Sequence, residues 1–379
     1  MQRIAQGLKW PNVAFFLLSP LVAVVGTILV MRHGGGHWAT WVLAGGMLYA
    51  SGLAITAGYH RLFSHRTYQA VWLVRLLLLL FGSAALEGSV RWWCMEHRDH
   101  HGKVDTEEDP YGINKGFWFA HIGWLLIKEH DAKVGYGNIK DLERDPLVRL
   151  QDRFYAWFAL VMGFALPTGL AALWGDALGG LFIAGLGRIV LNHHLTFCIN
   201  SFCHYVGRQT YSDRHSARDS WIAALLTWGE GYHNFHHEFE IDYRNGIRAY
   251  HWDPAKWLIY CLERVGLAWN LRRVSRQKIL AAKLQMDQKR IAARLARQAH
   301  PAMERIGELV AAARERLQHS HDRLMTLKQE YRALRRQKTT QLVERLGTLR
   351  RDLQQTRREF KLAMAQWRIL LRGPLPVSG

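Results

Sequence analysis

Apolar residues concentrate in four long stretches of the first half of the chain, and polar segments separate them. Residues 12–32 and 38–59 are apolar, with a short polar link at 34–37 between them. Residues 154–174 and 178–200 form a second pair joined by a short turn. Because about 20 apolar residues span a bilayer, the pattern predicts four transmembrane helices arranged as two hairpins.

A fifth apolar stretch, residues 71–86, is shorter and contains Arg75. These features favour a helix lying in the membrane interface; the alternative, a further span, would place the polar segment 87–153 on the opposite side. The turns inside the two hairpins are nearly free of Lys and Arg, whereas the flanking segments are rich in them. The positive-inside rule therefore predicts that both termini and segment 87–153 are cytoplasmic. The first apolar run is too long for a cleavable signal peptide.

The chain becomes polar and basic from Arg276 onward. Apolar residues recur there at three- to four-residue spacing up to Leu370, with a step at Lys338 that fits a four-residue stutter in a heptad pattern. The pattern predicts one long helix after Pro301, as a coiled coil or laid on the membrane or a partner; a solvated helix without a partner is the alternative. The predicted domains are 1–275 (membrane and cap), 276–300 (basic helix or linker) and 301–379 (amphipathic helix).

Charge and cysteine content narrow the class of protein. The formal net charge is +19, and the chain from Arg276 carries 24 Lys and Arg against 9 Asp and Glu. This local excess favours an anionic membrane surface or an acidic partner, and we expect no nucleic acid ligand. The four cysteines form no C-x-x-C pair, so neither a disulfide framework nor a zinc knuckle is expected.

Nine of the 20 histidines fall at ligand-like spacing near the ends of the predicted spans. On an α-helix, residues at i, i+3 and i+4 share one face. His97, His100 and His101 have this spacing, and so do His233, His236 and His237. His60 and His65 are five residues apart, about 140° around an α-helix, so we expect the end of the second span to unwind there. The nine are His60, His65, His97, His100, His101, His204, His233, His236 and His237.

Nine convergent imidazoles predict two metal ions, because a single ion binds fewer ligands. Each neutral ring needs an acceptor for its second nitrogen, and the acidic residues nearest in sequence are Glu96, Asp99, Glu230, Glu238 and Asp242. The other histidines are interpreted as surface or packing residues: His33, His37, His121, His130, His215, His251, His300, His319 and His321. His193 and His194, inside the fourth span with Arg188, are left open as structural or tunnel-lining residues. All three are expected to face the protein interior or a cavity.

The ordered boxes H-R-L-F-S-H, H-R-D-H-H, N-S-F-C-H and G-E-G-Y-H-N-F-H-H resemble those of membrane-bound acyl-CoA desaturases of the stearoyl-CoA Δ9 type. The resemblance covers about residues 10–285 and includes D-P-Y-G-I-N-K-G-F-W-F-A-H-I-G-W-L-L. It implies an all-α integral membrane protein with four transmembrane helices and a cytoplasmic helical cap that holds two Fe ions. It also implies that the nine histidines are the iron ligands, that Asn200 reaches one iron through a water, and that Trp93, Thr196 and Phe197 lie at the substrate tunnel.

Some positions depart from the family pattern. Met95-Glu96 stands where the eukaryotic enzymes have Arg-Asp near the CoA head group, Lys128-Glu129 replaces a basic pair, and Phe197 replaces a Trp. The carrier is therefore left open between acyl-CoA and acyl-lipid. The sequence contains no H-P-G-G haem motif, which predicts a separate electron donor, ferredoxin-like or a cytochrome with its reductase, and a bacterial inner membrane.

The resemblance implies an O2-dependent desaturase that introduces a cis double bond, at Δ9, into a saturated acyl chain. Methylene hydrogens of such a chain are not acidic, so acid–base catalysis cannot remove them, and no separate acid or base residue is expected. The metal centre supplies the oxidant while the protein orients the chain. A histidine-box membrane hydroxylase is the first alternative, and a metal transporter or metal-sensing membrane protein is the second.

Overall fold

The computed structural model describes residues 7–127, 136–297, 303–336 and 343–372. The chain divides into two compact units, unit 1 (Met1–Gln209 and Arg214–Arg273) and unit 2 (Thr210–Asp213 and Val274–Gly379). The helices of unit 1 are α1 (Trp10–Arg32), α2 (Trp38–Leu53, continued by a π-helix at Ala54–Ser64), α3 (Trp72–Ser83), α4 (Val90–Lys103), α5 (Phe117–His121), α6 (Lys140–Glu143), α7 (Pro146–Arg153), α8 (Tyr155–Leu160, followed by a π-helix at Val161–Ala165), α9 (Leu166–Ala172), α10 (Ala177–Gly179, followed by a π-helix at Gly180–Gly187), α11 (Arg188–Asn200), α12 (Phe202–Tyr205), α13 (Trp221–Leu226), α14 (His233–Glu238) and α15 (Pro254–Arg264). The helices of unit 2 are α16 (Arg276–Arg297), α17 (Met303–Arg336) and α18 (Val343–Arg372).

Short elements complete unit 1. Strand β1 (Gln69–Ala70) pairs antiparallel with β2 (Ala268–Trp269), with Gln69 opposite Trp269 and Ala70 opposite Ala268. Within the residues that the structure describes, three 3-10 turns lie at Ile113–Lys115, Gly123–Leu126 and Tyr136–Ile139.

Four helices of unit 1 are long and apolar enough to cross a membrane, namely Trp10–Arg32, Trp38–Ser64, Tyr155–Ala172 and Ala177–Tyr205. They coincide with the four predicted spans and confirm that part of the prediction. Leu17 and Leu21 on α1 are more than half exposed, as expected for side chains that face lipid. Gly26 allows α1 to approach the fourth span closely, because a Cβ there would lie 2.2 Å from Phe182.

Helix α3 is the fifth apolar stretch, and at 12 residues it is shorter than any of the four candidate spans. Its one charged residue, Arg75, pairs with Asp145, whose carboxylate also accepts a hydrogen bond from the backbone N–H of Leu147 at the start of α7. Trp72 and Leu73 at its beginning are exposed. This agrees with the prediction of an interfacial helix.

Asp176 ties the two hairpin turns together. Its carboxylate accepts hydrogen bonds from the Thr40 hydroxyl at 2.5 Å and from the backbone N–H groups of His37 at 2.9 Å and Gly36 at 3.1 Å. It also caps α10 through the N–H of Gly179. Burial raises the pKa of Asp176, but these four donors outweigh that effect and the pKa lies below its usual value. One carboxylate thus fixes the geometry of both hairpins.

The sequence predicts that the second span unwinds at His60 and His65. Instead, the span continues as the π-helix Ala54–Ser64. In a π-helix each N–H bonds to the carbonyl five residues earlier, and the N–H of His65 donates to the His60 carbonyl at 3.0 Å. This brings the two imidazoles together edge to face, with ring centroids 4.8 Å apart and an angle of 79° between the ring planes. The wider turn of the π-helix therefore places His60 and His65 on the same side of the helix, whereas an α-helix would place them on different faces.

Arg188 lies inside the fourth span and is 3% exposed. Its guanidinium donates to the carbonyls of Ala84 at 2.6 Å, Gly163 at 3.1 Å and Ala184 at 3.2 Å. Gly163 and Ala184 belong to the π-helices of the third and fourth spans. The prediction that Arg188 faces the interior is confirmed, because backbone carbonyls satisfy its donors away from lipid.

Unit 2 is a three-helix bundle and not the single long helix that the heptad pattern predicts. His321 on α17 packs against Phe360 on α18, with ring centroids 5.4 Å apart, and Glu330 pairs with Arg345 at 3.4 Å. Positions later in α17 thus meet positions earlier in α18, so the two helices run antiparallel. Residues 337–342, which include the predicted step at Lys338, lie outside the described residues.

Helix α16 completes the core of the bundle. Leu284 and Ile291 on α16 pack with Val310 and Leu317 on α17 and with Trp367 on α18. The apolar residues at three- to four-residue spacing therefore form a core within the chain. The alternative of a solvated helix without a partner is wrong.

We expect Asp176→Ala to destabilise the transmembrane unit by roughly 2–3 kcal/mol, because backbone donors at both turns lose a charged acceptor. The measurement is the thermal midpoint of the detergent-solubilised protein. Asp213→Ala, which removes an exposed ion pair with Lys289 in unit 2, is the control and should leave the midpoint nearly unchanged. Equal midpoints for the two variants would contradict the role given to Asp176.

Candidate metal centre

The structure brings all nine predicted histidines together in two groups. His60, His65, His97, His101 and His236 form the first group, and His100, His204, His233 and His237 form the second. Within each group, the nitrogens that face one another all lie within 4.8 Å. In the described part of the chain, these are the two clusters of three or more residues that could hold a metal ion.

Helices α4 and α14 each contribute histidines to both groups. On α4, the i, i+4 pair His97 and His101 joins the first group while His100 joins the second. On α14 the arrangement is reversed, because the pair His233 and His237 joins the second group while His236 joins the first. The i, i+3, i+4 spacing therefore serves two sites at once, whereas the sequence suggested one place for each box.

The arrangement of the Nε2 atoms fits metal ions. His65 and His97 approach to 2.8 Å, His60 and His236 to 2.9 Å, and His233 and His237 to 3.1 Å. A metal with bonds of about 2.1 Å places adjacent ligand nitrogens roughly 3 Å apart. In neutral rings whose Nδ1 carries the proton, these atoms carry lone pairs, which repel unless a cation lies between them.

Burial beside other imidazoles favours the neutral form of most of these rings. Burial, and then the neighbouring histidines, lower the pKa of His65, His97, His233, His236 and His237 well below the usual value. Burial likewise lowers the pKa of His101, to about 4, although Glu240 opposes the effect. In the second group the Nε2 atom of His204 is buried with no hydrogen-bond partner. Neutral imidazole with a free lone pair is the form that binds a metal.

Outward-facing Nδ1 atoms contact acceptors that fix the ring orientation. Glu230 lies 3.0 Å from His60 Nδ1, Asp109 lies 2.8 Å from His100 Nδ1, and Glu240 lies 3.3 Å from His101 Nδ1. His204 Nδ1 meets the Ser216 hydroxyl at 2.7 Å. A proton held at Nδ1 by a carboxylate leaves Nε2 free for a metal, which is the usual support of a metal-binding histidine.

Glu230 connects the first group to a buried charge network. The Arg61 guanidinium contacts Glu230 at 3.0 Å and Asp253 at 2.9 Å, and Asn245 donates to Glu230 at 2.6 Å. Burial raises the pKa of Glu230, but His60 and Arg61 outweigh it and lower the pKa below its usual value. The carboxylate is therefore charged and fully engaged, which holds the His60 ring in one position.

Of the five acidic residues proposed from sequence as supports, Glu230 contacts a ring nitrogen. Asp99, Glu238 and Asp242 instead pair with Lys103, Arg214 and Arg244, and Glu96 is buried in a cavity wall. The sequence interpretation missed Asp109 and Glu240. Glu240 lies two residues after the end of α14 and was overlooked beside Glu238. Asp109 lies nine residues from His100 on a loop, a separation that carries no local signal.

A cavity of about 360 Å³ extends from the first histidine group toward the transmembrane helices. His60 and His97 form one part of its wall, and Phe15 and Phe16 of α1 form another. The predicted tunnel residues Trp93, Thr196 and Phe197 all line it, as does Asn200. Asn200 belongs to neither histidine group.

Glu87 is a buried acid in the wall of this cavity. It accepts hydrogen bonds from Asn192 and Thr196, both at 2.8 Å, and from the Trp93 indole at 3.4 Å. Burial raises its pKa to about 7, although these donors oppose the effect. The sequence interpretation did not single out Glu87, because a lone acid after an apolar helix carries no pattern.

The remaining histidines differ in their surroundings. His193 is buried, lines the cavity and meets the Leu86 carbonyl at 3.2 Å, which favours the tunnel-lining interpretation. His194 is exposed, contrary to the expectation that it faces the interior, and lies 3.1 Å from His121, which also contacts Ser201. His215 is buried beside His237, at 5.2 Å between ring centroids. His130 and His300 lie outside the described residues.

The fold and site define a membrane protein with two adjacent histidine clusters at the mouth of an internal cavity. Residues 36–295 match a family model described as fatty acid desaturase. The chain is 42% identical over 292 residues to a probable acyl-CoA desaturase of Schizosaccharomyces pombe and 41% identical over 291 residues to acyl-CoA desaturase 1 of Saccharomyces cerevisiae. It is 35% identical over 287 residues to a Delta(9)-fatty-acid desaturase of Caenorhabditis elegans.

The matched segments cover 76% of this chain for each of the two fungal relatives and 74% for the nematode relative. The chain belongs to the fatty acid desaturase family. It spans 60% and 56% of the length of the two fungal relatives and 84% of the nematode relative.

Replacing Glu230 by Ala should lower metal affinity 10- to 100-fold, on the order found when an outer support of a ligand is removed. The reason is that His60 loses its acceptor and Arg61 loses one of its two carboxylates. Metal content per purified chain, measured by elemental analysis across a chelator series, is the readout. Glu238→Ala, a nearby acid that pairs with an exposed Arg214, is the matched control. Metal retention in Glu230→Ala equal to that of the control would contradict the role assigned to Glu230.

Proposed function

We propose that the chain is an O2-dependent fatty acyl desaturase that introduces a cis double bond, at Δ9, into a saturated acyl chain. The observation that carries the proposal is the convergence of nine histidines beside a cavity lined by aromatic and aliphatic side chains. The names of the relatives, two acyl-CoA desaturases and a Delta(9)-fatty-acid desaturase, support the same reaction. They give no support to the hydroxylase or to the metal transporter.

The nine histidines are proposed to hold two Fe ions, with Asn200 reaching one of them through a water. When bound, the irons supply the oxidising power, drawn from O2, that removing hydrogen from an unactivated methylene pair requires. The protein's part is to keep every ring neutral and fixed. The carboxylates of Glu230, Asp109 and Glu240 hold the protons at Nδ1, so the inner nitrogens stay available.

The cavity is proposed to position the acyl chain. Its apolar lining removes the methylene groups from water, and its rigid wall determines which carbon pair lies beside the first histidine group. Trp93 supports that wall, because its ring stacks on His97 at 4.9 Å and its N–H donates to Glu87. Thr196 donates to the same carboxylate, so Glu87 joins α4 and α11 at one point of the cavity.

We propose acyl-CoA as the carrier, following the relatives' names. Met95 and Glu96 are both about 4% exposed, so the two positions that depart from the family pattern are buried and neither is presented to a soluble head group. The Lys128-Glu129 position lies outside the described residues. Two electrons must come from a separate donor, ferredoxin-like or a cytochrome with its reductase.

The placement of both termini on the cytoplasmic side rests on the positive-inside rule. The three relatives named above come from fungi and a nematode, so they give no support to a bacterial inner membrane. That assignment stays a prediction from the sequence.

Expression in a host that cannot desaturate aerobically tests the reaction. We expect a new Δ9 monoene that depends on O2, and its loss by at least tenfold in His100→Ala, because one ligand and its link to Asp109 disappear together. His33→Ala, an exposed histidine near the outer turn, is the control and should retain activity. A hydroxylated product, or full activity in His100→Ala, would refute the proposal; fatty-acid profiling with double-bond location reads out both.

The titration of Glu87 predicts that KM depends on pH. Because its pKa is about 7, the carboxyl is neutral below that pH and charged above it, and a charge in the cavity wall disfavours an apolar chain. KM should therefore rise as pH increases through about 7. In Glu87→Gln, which keeps the shape without the titration, KM should become independent of pH. Parallel KM profiles for the two proteins at constant iron content would show that Glu87 does not act on the substrate.

A further inference from the structure

The side of α18 that points away from the bundle core carries an unusual combination of residues. The core side presents Leu349, Phe360 and Trp367. Arg351, Arg358, Leu362 and Ile369 follow one another at intervals of seven, four and seven residues, which places them on one face of the helix, opposite the core. We call these four residues the outer face of α18.

The two aliphatic residues of the outer face are the first sign of a ligand. Leu362 is 66% exposed and Ile369 is 67% exposed. A helix face that only meets water is normally polar. Two large aliphatics on the same stripe as two arginines are typical of a helix that lies at a membrane surface.

The charges around the outer face are the second sign. Arg350, Arg357, Lys361 and Arg368 extend the basic surface along one flank of α18, and in the described part of the chain none of them forms an ion pair. Helix α17 adds to this field, because burial and then Arg276, Arg357 and Arg332 lower the pKa of Lys328. Cations that repel one another in the folded chain favour a polyanionic partner.

We propose that the outer face of α18 binds the anionic lipid surface of the membrane in which unit 1 is embedded. Among the described residues, no candidate span follows Tyr205, so no predicted membrane crossing separates α18 from the end of the fourth span. Unit 2 begins at Val274, directly after unit 1 ends at Arg273, and this covalent link keeps the local lipid concentration high. Basic residues supply attraction to lipid phosphates and the aliphatics insert between head groups.

Two other occupants fit the face less well. A second copy of the chain would bring the same basic surface against itself, which like charges oppose. A nucleic acid would satisfy the arginines but would leave Leu362 and Ile369 in water, because its outer surface is charged.

The test uses the full-length protein, one copy per lipid nanodisc, with a polarity-sensitive fluorophore at Gln355→Cys and the exposed Cys261 replaced by Ser. Gln355 lies one turn from both Arg351 and Arg358. Emission should shift to shorter wavelength in discs containing phosphatidylglycerol and not in phosphatidylcholine alone. The shift should shrink as salt rises, because the Debye length falls from about 10 Å at 0.1 M to about 3 Å at 1 M.

Two double variants that remove the same charge distinguish an effect of the outer face from an effect of net charge. Arg351→Gln with Arg358→Gln should abolish most of the shift, whereas Arg316→Gln with Arg323→Gln, an i, i+7 pair on α17, should retain it. Helical content by circular dichroism identifies a variant that has unfolded, and the salt series on the parent needs no variant. The proposal is overturned if the emission wavelength does not depend on lipid charge, or if both double variants lose the shift equally. A shift caused by an added oligonucleotide in phosphatidylcholine discs, with none from phosphatidylglycerol, would assign the face to nucleic acid instead.

Discussion

The structure depends on holding nine imidazoles within a few ångströms of one another, at sites where burial lowers the pKa of seven of them and so favours the neutral ring. A single protonated ring among them would face other rings at 2.8 to 3.1 Å with little water to screen it. The surrounding carboxylates lie outside the clusters and hold protons at the outer nitrogens, so the inner nitrogens stay unprotonated. Arg61, Glu230 and Asp253 show how far the support extends, since the arginine that steadies one carboxylate is itself neutralised by a second.

The helices adapt to the chemistry by changing their hydrogen-bond pattern. Regular α-helices would send His60 and His65 in different directions. The π-helical segments in three of the four candidate spans rotate side chains without ending the span, and two of these segments contain Gly163 and Ala184, whose carbonyls accept hydrogen bonds from Arg188. Irregular backbone inside a membrane is tolerated where protein groups satisfy it, and Arg188 is such a group.

The spans and the nine histidines could be predicted because hydropathy and histidine spacing are local signals. The change to a π-helix could not, since the residues of 54–64 read equally well as an α-helix that ends. Asp109 and Glu240 meet their histidines through the folded cap, and sequence distance favoured Glu238 instead. In the tail the apolar spacing predicted helix correctly, but a heptad pattern does not say whether its partner is another molecule or the next stretch of the same chain.

The sharing of α4 and α14 between the two histidine groups has a consequence for how the centre assembles. A rotation of either helix that improves one group displaces ligands from the other, so the groups cannot be optimised separately. If the two groups hold the proposed metal ions, occupation of one group would fix the orientation that the second requires and would remove part of its ordering cost. The two proposed ions would then load cooperatively, with forms that hold a single ion in the minority.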